Sequence, residues 1–221
     1  MVIRGKIMFS VFGKKPVDAI SLPDVPYSVR LNCKDGGIFV GGKEPQHRRS
    51  NPDDKIDISI IKVSKYYGNL GLQYTGQWIQ LFFVAAPNID PKILPQNTVC
   101  VCYIKKQSIS NLFSKVQDVI SEQDPGMGIF TIKFNKESGK DGPYYTVAFD
   151  WRERQGEPEN KQLQQIAGLL QTQPALFDFE GTRDMQCLDG LSSEEITALL
   201  EGGQEQPELP PSNVKKIKGG K

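Results

Sequence analysis

Apolar residues recur at every second position through much of the first two-thirds of the chain, the signature of strands with one buried face. KIMFSVFG (6–13) is a short strand candidate, and YSVRLNCKDGGIFVGG (27–42) reads as two strands around the turn Lys34-Asp35-Gly36-Gly37. KEPQHRRSNPDD (43–54) is a polar loop. KIDISIIKVSKYYG (55–68) begins with strict alternation: Ile56, Ile58 and Ile60 share one face, Asp57 and Ser59 the other. The pattern then slips at Ile61 and Val63, as a bulge or a strand buried on both faces would make it do. WIQLFFVAAP (78–87) and NTVCVCYIKK (97–106) are further strands. In SISNLFSKVQDVISEQD (108–124) the period changes. Leu112, Phe113, Val116, Val119 and Ile120 fall at helical spacing, with Ser108 or Ser110 placed to cap the N-terminus. After the turn PGMG, GIFTIKFN sets Phe130, Ile132 and Phe134 on one face. The stretch NKESGKDGPYYTVAFDWRER (135–154) completes a hairpin whose apolar side carries Tyr145, Val147, Phe149 and Trp151.

Seven or so closely spaced strands with one inserted helix predict a mainly β domain over residues 1–154, an antiparallel barrel of the OB-like kind. Beyond Arg154 the periodicity is helical: Leu163, Ile166, Leu169 and Leu170 form one stripe, and LSSEEITALLEGG opens on a capping box from Ser192 to Glu195. Residues 155–203 therefore read as an acidic helical appendage. QEQPELPPSNVKKIKGGK (204–221), rich in proline and nearly free of apolar residues, reads as a disordered tail with a basic tip.

Charge sharpens this division. The net charge of +1 over 221 residues hides a balance of +6 up to Gly156, −9 from Glu157 to Pro211 and +4 in the last ten residues. Such asymmetry suits nucleic acid or an intramolecular electrostatic contact. No apolar run approaches the roughly 18 residues of a membrane helix, and the N-terminus lacks a signal-peptide cleavage pattern, so the expected compartment is the cytoplasm. Four cysteines, Cys33, Cys100, Cys102 and Cys187, show no Cys-x-x-Cys spacing. Cys100 and Cys102 share one face of a strand and read as small core residues.

The sequence carries no enzyme signature. His47, the one histidine, sits beside Arg48 and Arg49 with no marked nucleophile, and reads as a surface residue. Gly139-Lys140 ends like a phosphate loop, but Phe134 stands where that loop needs glycine and Asp141 where it needs Ser or Thr. Neither metal nor cofactor is expected.

Single-stranded nucleic acid needs a basic groove for its phosphates and aromatic faces for its unstacked bases. The β-rich body offers both near one another in sequence. Lys62, Lys65, Tyr66 and Tyr67 end one strand, and Tyr74 and Trp78 flank the next loop. Tyr103, Lys105 and Lys106 close another. Lys133, Lys136 and Lys140 lead into Tyr144, with Arg152 and Arg154 beyond. With Tyr145 and Phe134 inward, alternation turns Tyr144, Thr146, Thr131 and Lys133 outward on one sheet face. The bland alternative is that tyrosine and tryptophan, both good strand residues, simply pack; Trp78 and Trp151 fit it best.

The run Gly142-Pro143-Tyr144-Tyr145-Thr146-Val147, the Trp151-Arg152 exit and WIQLFFV, joined to a basic body and a separate acidic segment, resemble phage and plasmid single-stranded-DNA-binding proteins over the central half of the chain. The resemblance implies non-catalytic binding of single-stranded DNA or RNA, DNA foremost. Its acidic segment implies a protein partner or a competitor for the basic face. The chain departs from the pattern at its end, where Lys215, Lys216, Lys218 and Lys221 replace an acidic tip. The rival reading is a protein-interaction or assembly module of a phage or mobile element, docking through the acidic helices and the tail.

Overall fold

The computed structural model describes residues 19–23, 26–40, 47–70, 75–172 and 185–202. The strand candidate at 6–13, Tyr74 and the tail from 204 lie outside them. Strand outweighs helix, 40% against 27%, so the chain is mainly β, as its alternation predicts. Nine strands are described: β1 (Tyr27–Ser28), β2 (Arg30–Leu31), β3 (Ile38–Phe39), β4 (Ile56–Gly68), β5 (Gly76–Ala85), β6 (Cys100–Lys105), β7 (Ile129–Gly139), β8 (Gly142–Arg152) and β9 (Met185–Cys187). The helices are α1 (Gln107–Ile120), α2 (Gly156–Thr172) and α3 (Ser193–Gly202).

Seven strands make one mixed sheet in the order β1-β6-β5-β4-β7-β8, with β9 added to β4; β2 and β3 pair separately. The expected closed antiparallel barrel does not form. Closure requires the end strands to pair, and here the path stops at β1, which lies parallel to β6, and at β8. The long β4 also divides one edge between two partners, Ile56–Ile58 facing β7 and Tyr66–Gly68 facing β9.

One sheet face is the core. Ile56 and Ile58 of β4, Leu81 and Phe83 of β5, Cys100 and Cys102 of β6, Phe130 and Ile132 of β7, and Val147 and Phe149 of β8 all lie on it, buried under Leu112 of α1 and under Leu31 and Ile38. Each such side chain contributes roughly 1.5–3 kcal/mol when fully buried, which is why period-2 alternation dictates the sheet. The slip in β4 is a bulge. Its register against β5 shifts between Ile60 and Lys62, and the extra residue, Ile61, joins Phe82 and Val84 on the opposite face.

That second face is covered by the segment the sequence sets apart as an appendage. Leu169 and Leu170 of α2 pack on Phe82, Val84, Val99 and Val101. Gln162 donates to the Ala85 carbonyl at 2.9 Å and meets the Ser59 hydroxyl at 3.0 Å, both buried. The β9 strand then extends the sheet itself. The α2 helix and the β9 strand thus belong to the fold of the β body, because its second face is apolar and needs a lid.

Two local details differ from expectation or extend it. Neither Ser108 nor Ser110 caps α1; the cap position is Lys106, with φ 51° and no side-chain cap. Ser108 lies within the helix, where its hydroxyl accepts from the Val147 amide at 3.0 Å and ties α1 to β8. The capping box of α3 does form: Glu195 N–H donates to Ser192 Oγ at 3.2 Å and Ser192 N–H to Glu195 Oε2 at 2.8 Å.

Candidate nucleic-acid interface

The residues expected to meet nucleic acid do not converge on one wall. Tyr66 pairs with Trp78 across β4 and β5 on the second face, and both are buried, 4% and 3% exposed, against Met185. Burial pushes the Tyr66 phenol above its usual range. A ring sealed on both sides offers no stacking face, so Tyr66 is a core residue. Trp78 packs as its bland reading says, its Nε1–H donating to the Gly68 carbonyl at 3.1 Å. Tyr67, half-buried, points to the other side of β4 beside Gln77.

The lysines of this region are dispersed by the pleat. Lys62, half-buried, shares the second face with Phe82. The bulge leaves Lys65 on the core side, where its ammonium reaches over the Phe113 ring at 5.8 Å. Lys105 lies 5.0 Å from the Trp78 ring centre. Its pKa is lowered, first by burial and then by the adjacent Lys106, with Cys33 opposing. Lys106 is exposed at the start of α1.

Arg152 and Arg154 are fixed in structural work. The Arg152 guanidinium donates to Asp57 Oδ2 at 2.8 Å and to both Glu159 oxygens at 2.9 and 2.8 Å. Arg154 donates to the carbonyls of Met127 and Glu159 and to Ser59 Oγ. Burial would raise the Asp57 carboxyl, but bonds from Thr131, Arg152 and Asn88 outweigh it and hold the group below its ordinary value. For Glu159 the Arg152 hydrogen bonds dominate, against burial and with help from the Gln155 amide, and its pKa is also lowered. These groups lock α2 to β4 and β8.

The outer part of the β7–β8 hairpin keeps its expected character. Gly139 and Gly142 close a two-residue turn carrying Lys140 and Asp141, and Gly142 takes φ 110°, which side-chain-bearing residues rarely adopt. Tyr144 stands 38% exposed, its ring against Gly139, where an added Cβ would lie 3.2 Å away. Lys136 and Lys140 are exposed. Lys133 is on the same face as Tyr144 but opposite Ala148, four residues along, roughly 13 Å at strand rise. Its ammonium is paired with Asp150.

A second basic element adjoins this hairpin. Tyr145 N–H donates to the Cys33 carbonyl at 2.7 Å, docking the β2–β3 turn on the outer edge of β8. Lys34 is exposed in that turn, and Lys136 is the direct cross-strand partner of Tyr145. Asp35, Glu137 and Asp141 lie among these lysines, so the local field is mixed. The turn is held from within: Asn32 Oδ1 accepts from the amides of Lys34 and Asp35. Gly37, at φ 90°, sits where a Cβ would be 2.2 Å from the Ser50 carbonyl.

Sequence reasoning missed two arginines here. Arg30 pairs with Phe39 across the hairpin, and a bridge joins Phe39 to Arg48. The guanidinium carbons lie 5.3 and 5.1 Å from the centre of that one ring. The predicted turn at 34–37 would set Arg30 opposite residue 41, whereas the observed register pairs Leu31 with Ile38 and Arg30 with Phe39. The bridge to Arg48 was hidden because 43–54 reads as loop. His47, next in the chain, is half-buried with Nδ1 out of solvent and without a partner. Among the described residues, no three metal-ligating side chains cluster and no helix is long and apolar enough to cross a membrane. No protein-family model matches the chain, and no curated protein or solved structure is detectably similar to it.

Proposed function

We propose that this protein binds single-stranded nucleic acid, DNA foremost, without catalysis, through the outer end of the β7–β8 hairpin and the adjoining β2–β3 turn. The observation that carries the reading is the Tyr145–Cys33 backbone bond, which sets the basic turn beside an exposed aromatic ring. Tyr144 is the stacking face on one side of the hairpin; Lys140 at the tip, and Lys136 and Lys34 on the Tyr145 side, neutralise phosphates of a strand that passes around its end. A closed barrel is not needed, since an open sheet edge can present a ring and ammonium groups equally well. The site is smaller than the sequence implies, because Tyr66 is taken up in packing, Arg152 in ion pairs and Arg154 in hydrogen bonds to the Met127 and Glu159 carbonyls and Ser59.

Fluorescence anisotropy with labelled oligo(dT), oligo(rU) and a duplex of equal length tests it. Three neutralised phosphates give log Kd against log salt a slope of about 2 on a single strand. Tyr144→Ala costs roughly 1–3 kcal/mol if one base stacks there, a loss of about 5- to 150-fold. Duplex binding as tight as oligo(dT), or an affinity indifferent to salt, refutes the reading. Deleting residues 157–221 is not a clean probe of the acidic segment, because α2 covers Phe82 and Val84; truncation after Gly203 leaves that cover in place.

A further inference from the structure

We infer that Arg30 and Arg48 form an oxyanion site that takes a phosphate group, a site that stands whether or not the Tyr144 surface binds a strand. In β2 and β3, Leu31 and Ile38 turn into the core. Their neighbours Arg30 and Phe39 therefore turn the other way, and the bridge from Phe39 brings in Arg48 on its far side. One ring thus carries a guanidinium on each flank, at 5.3 and 5.1 Å. Cation–π attraction holds both planes in place without consuming their N–H donors.

What the pair lacks is an acid. Among the described residues, no carboxylate lies within ion-pair distance of either arginine. Arg48 spends one donor, on the Asp35 carbonyl at 3.1 Å. Among the described residues the Arg30 side chain makes no hydrogen bond, and its Nε is shut off from solvent without an acceptor. Arg152 offers the contrast within the same molecule, since both its carboxylates are satisfied at 2.8 Å. Two like charges fixed around one ring repel, and an unpaired guanidinium donor is costly to keep from water. A dianionic or diester phosphate relieves both, because the planar fork of arginine matches two phosphate oxygens. The phosphate can come from a nucleic-acid backbone or from a free phosphate or phosphomonoester; the chemistry is the same.

The test uses the full chain and inorganic phosphate at constant ionic strength, with chloride as the reference, followed by the arginine Nε–Hε NMR signals. Phosphate is expected to shift the Arg30 and Arg48 signals saturably, and to raise Tm by an amount that grows with its concentration. Arg30→Gln breaks no hydrogen bond in the structure and leaves Phe39 in place, so it is the first variant. It should weaken the Arg48 response at least about tenfold, and Arg30→Lys, which keeps the charge but loses the fork, should restore only part of it. A shift no larger than that from chloride, or the same phosphate midpoint in Arg30→Gln, overturns the inference. Oligo(dT) identifies the source. If Arg30→Gln lowers the salt slope by about 0.7 the phosphate belongs to a strand. An unchanged slope beside a lost phosphate response supports a free phosphate as the ligand.

Discussion

Replacing Arg152 with methionine should destabilise the protein more than any other single surface change, because the arginine holds two acids that are themselves nearly covered. The Asp57 and Glu159 side chains are 13% and 11% exposed, and Arg152 bonds both. Removing one member of a buried ion pair costs about 3–5 kcal/mol, since the remaining charge stays buried. Here the lower end applies. Arg152 is 31% exposed, Asp57 keeps the Thr131 hydroxyl at 2.6 Å, and Glu159 keeps the Gln155 amide at 2.7 Å. An expected loss of about 3 kcal/mol corresponds to a Tm lower by roughly 6–12 °C for a chain of this size.

The pH dependence supplies a second reading of the same prediction. In the native protein both carboxyls titrate below their unfolded values. Their contribution is therefore complete above the unfolded pKa, about 4, and is lost as pH falls through the lower folded values. In Arg152→Met, burial is left to act on Asp57 with much less opposition, and its folded pKa rises. That variant should lose most stability at neutral pH and regain part of it as pH falls and Asp57 takes up its proton. Guanidinium unfolding followed by circular dichroism at pH 7.5 and 4.5 measures both effects. The triple variant Arg152→Met, Asp57→Asn, Glu159→Gln should recover to within about 1 kcal/mol of the parent, since no charge is left unpaired. A cost below 1 kcal/mol at pH 7.5, or one equal at the two pH values, refutes the account.

Gly128→Ala should cost about 2 kcal/mol, because its Cβ would stand 2.3 Å from the Trp151 indole and disturb the Trp151 Nε1–H bond to the Pro125 carbonyl at 2.9 Å; urea unfolding read by tryptophan fluorescence measures this. Iodoacetamide at pH 8 should alkylate the exposed Cys187 in the native protein well before Cys100, which is buried and whose thiol burial pushes up to about 12; peptide mass spectrometry gives the order, and fast labelling of Cys100 would contradict its place in the core. Lys136→Glu with Lys140→Glu should weaken oligo(dT) binding by about tenfold or more at low salt, with a difference that shrinks as salt rises, and a difference constant with salt would rule out phosphate contact.

Local order was legible because it depends on near neighbours. Alternation in β4, β7 and β8 placed Ile56, Ile132 and Phe149 on a buried face, and the glycines at 139 and 142 marked the hairpin turn. The slip at Ile61 announced either a bulge or a strand buried on both faces, and the register shows the bulge; Ser192 with Glu195 announced a helix start. In each case the deciding interaction spans a few residues or a single pleat.

What the sequence by itself determined is that this chain makes strands with one apolar side, a helix to cover them and an exposed tyrosine beside lysines at a hairpin end. Only the tertiary structure decided that the sheet stays open, that α2 and β9 complete it, that Tyr66 is sealed against Trp78, that Arg152 pairs with Asp57 and Glu159, and that Arg154 bonds two backbone carbonyls and the Ser59 hydroxyl. Those outcomes depend on pairs as distant as Asp57 with Arg152 and Ser59 with Gln162. A charged or aromatic side chain reads the same in sequence whether it will face water or a partner, because burial is a property of what the rest of the chain brings to it.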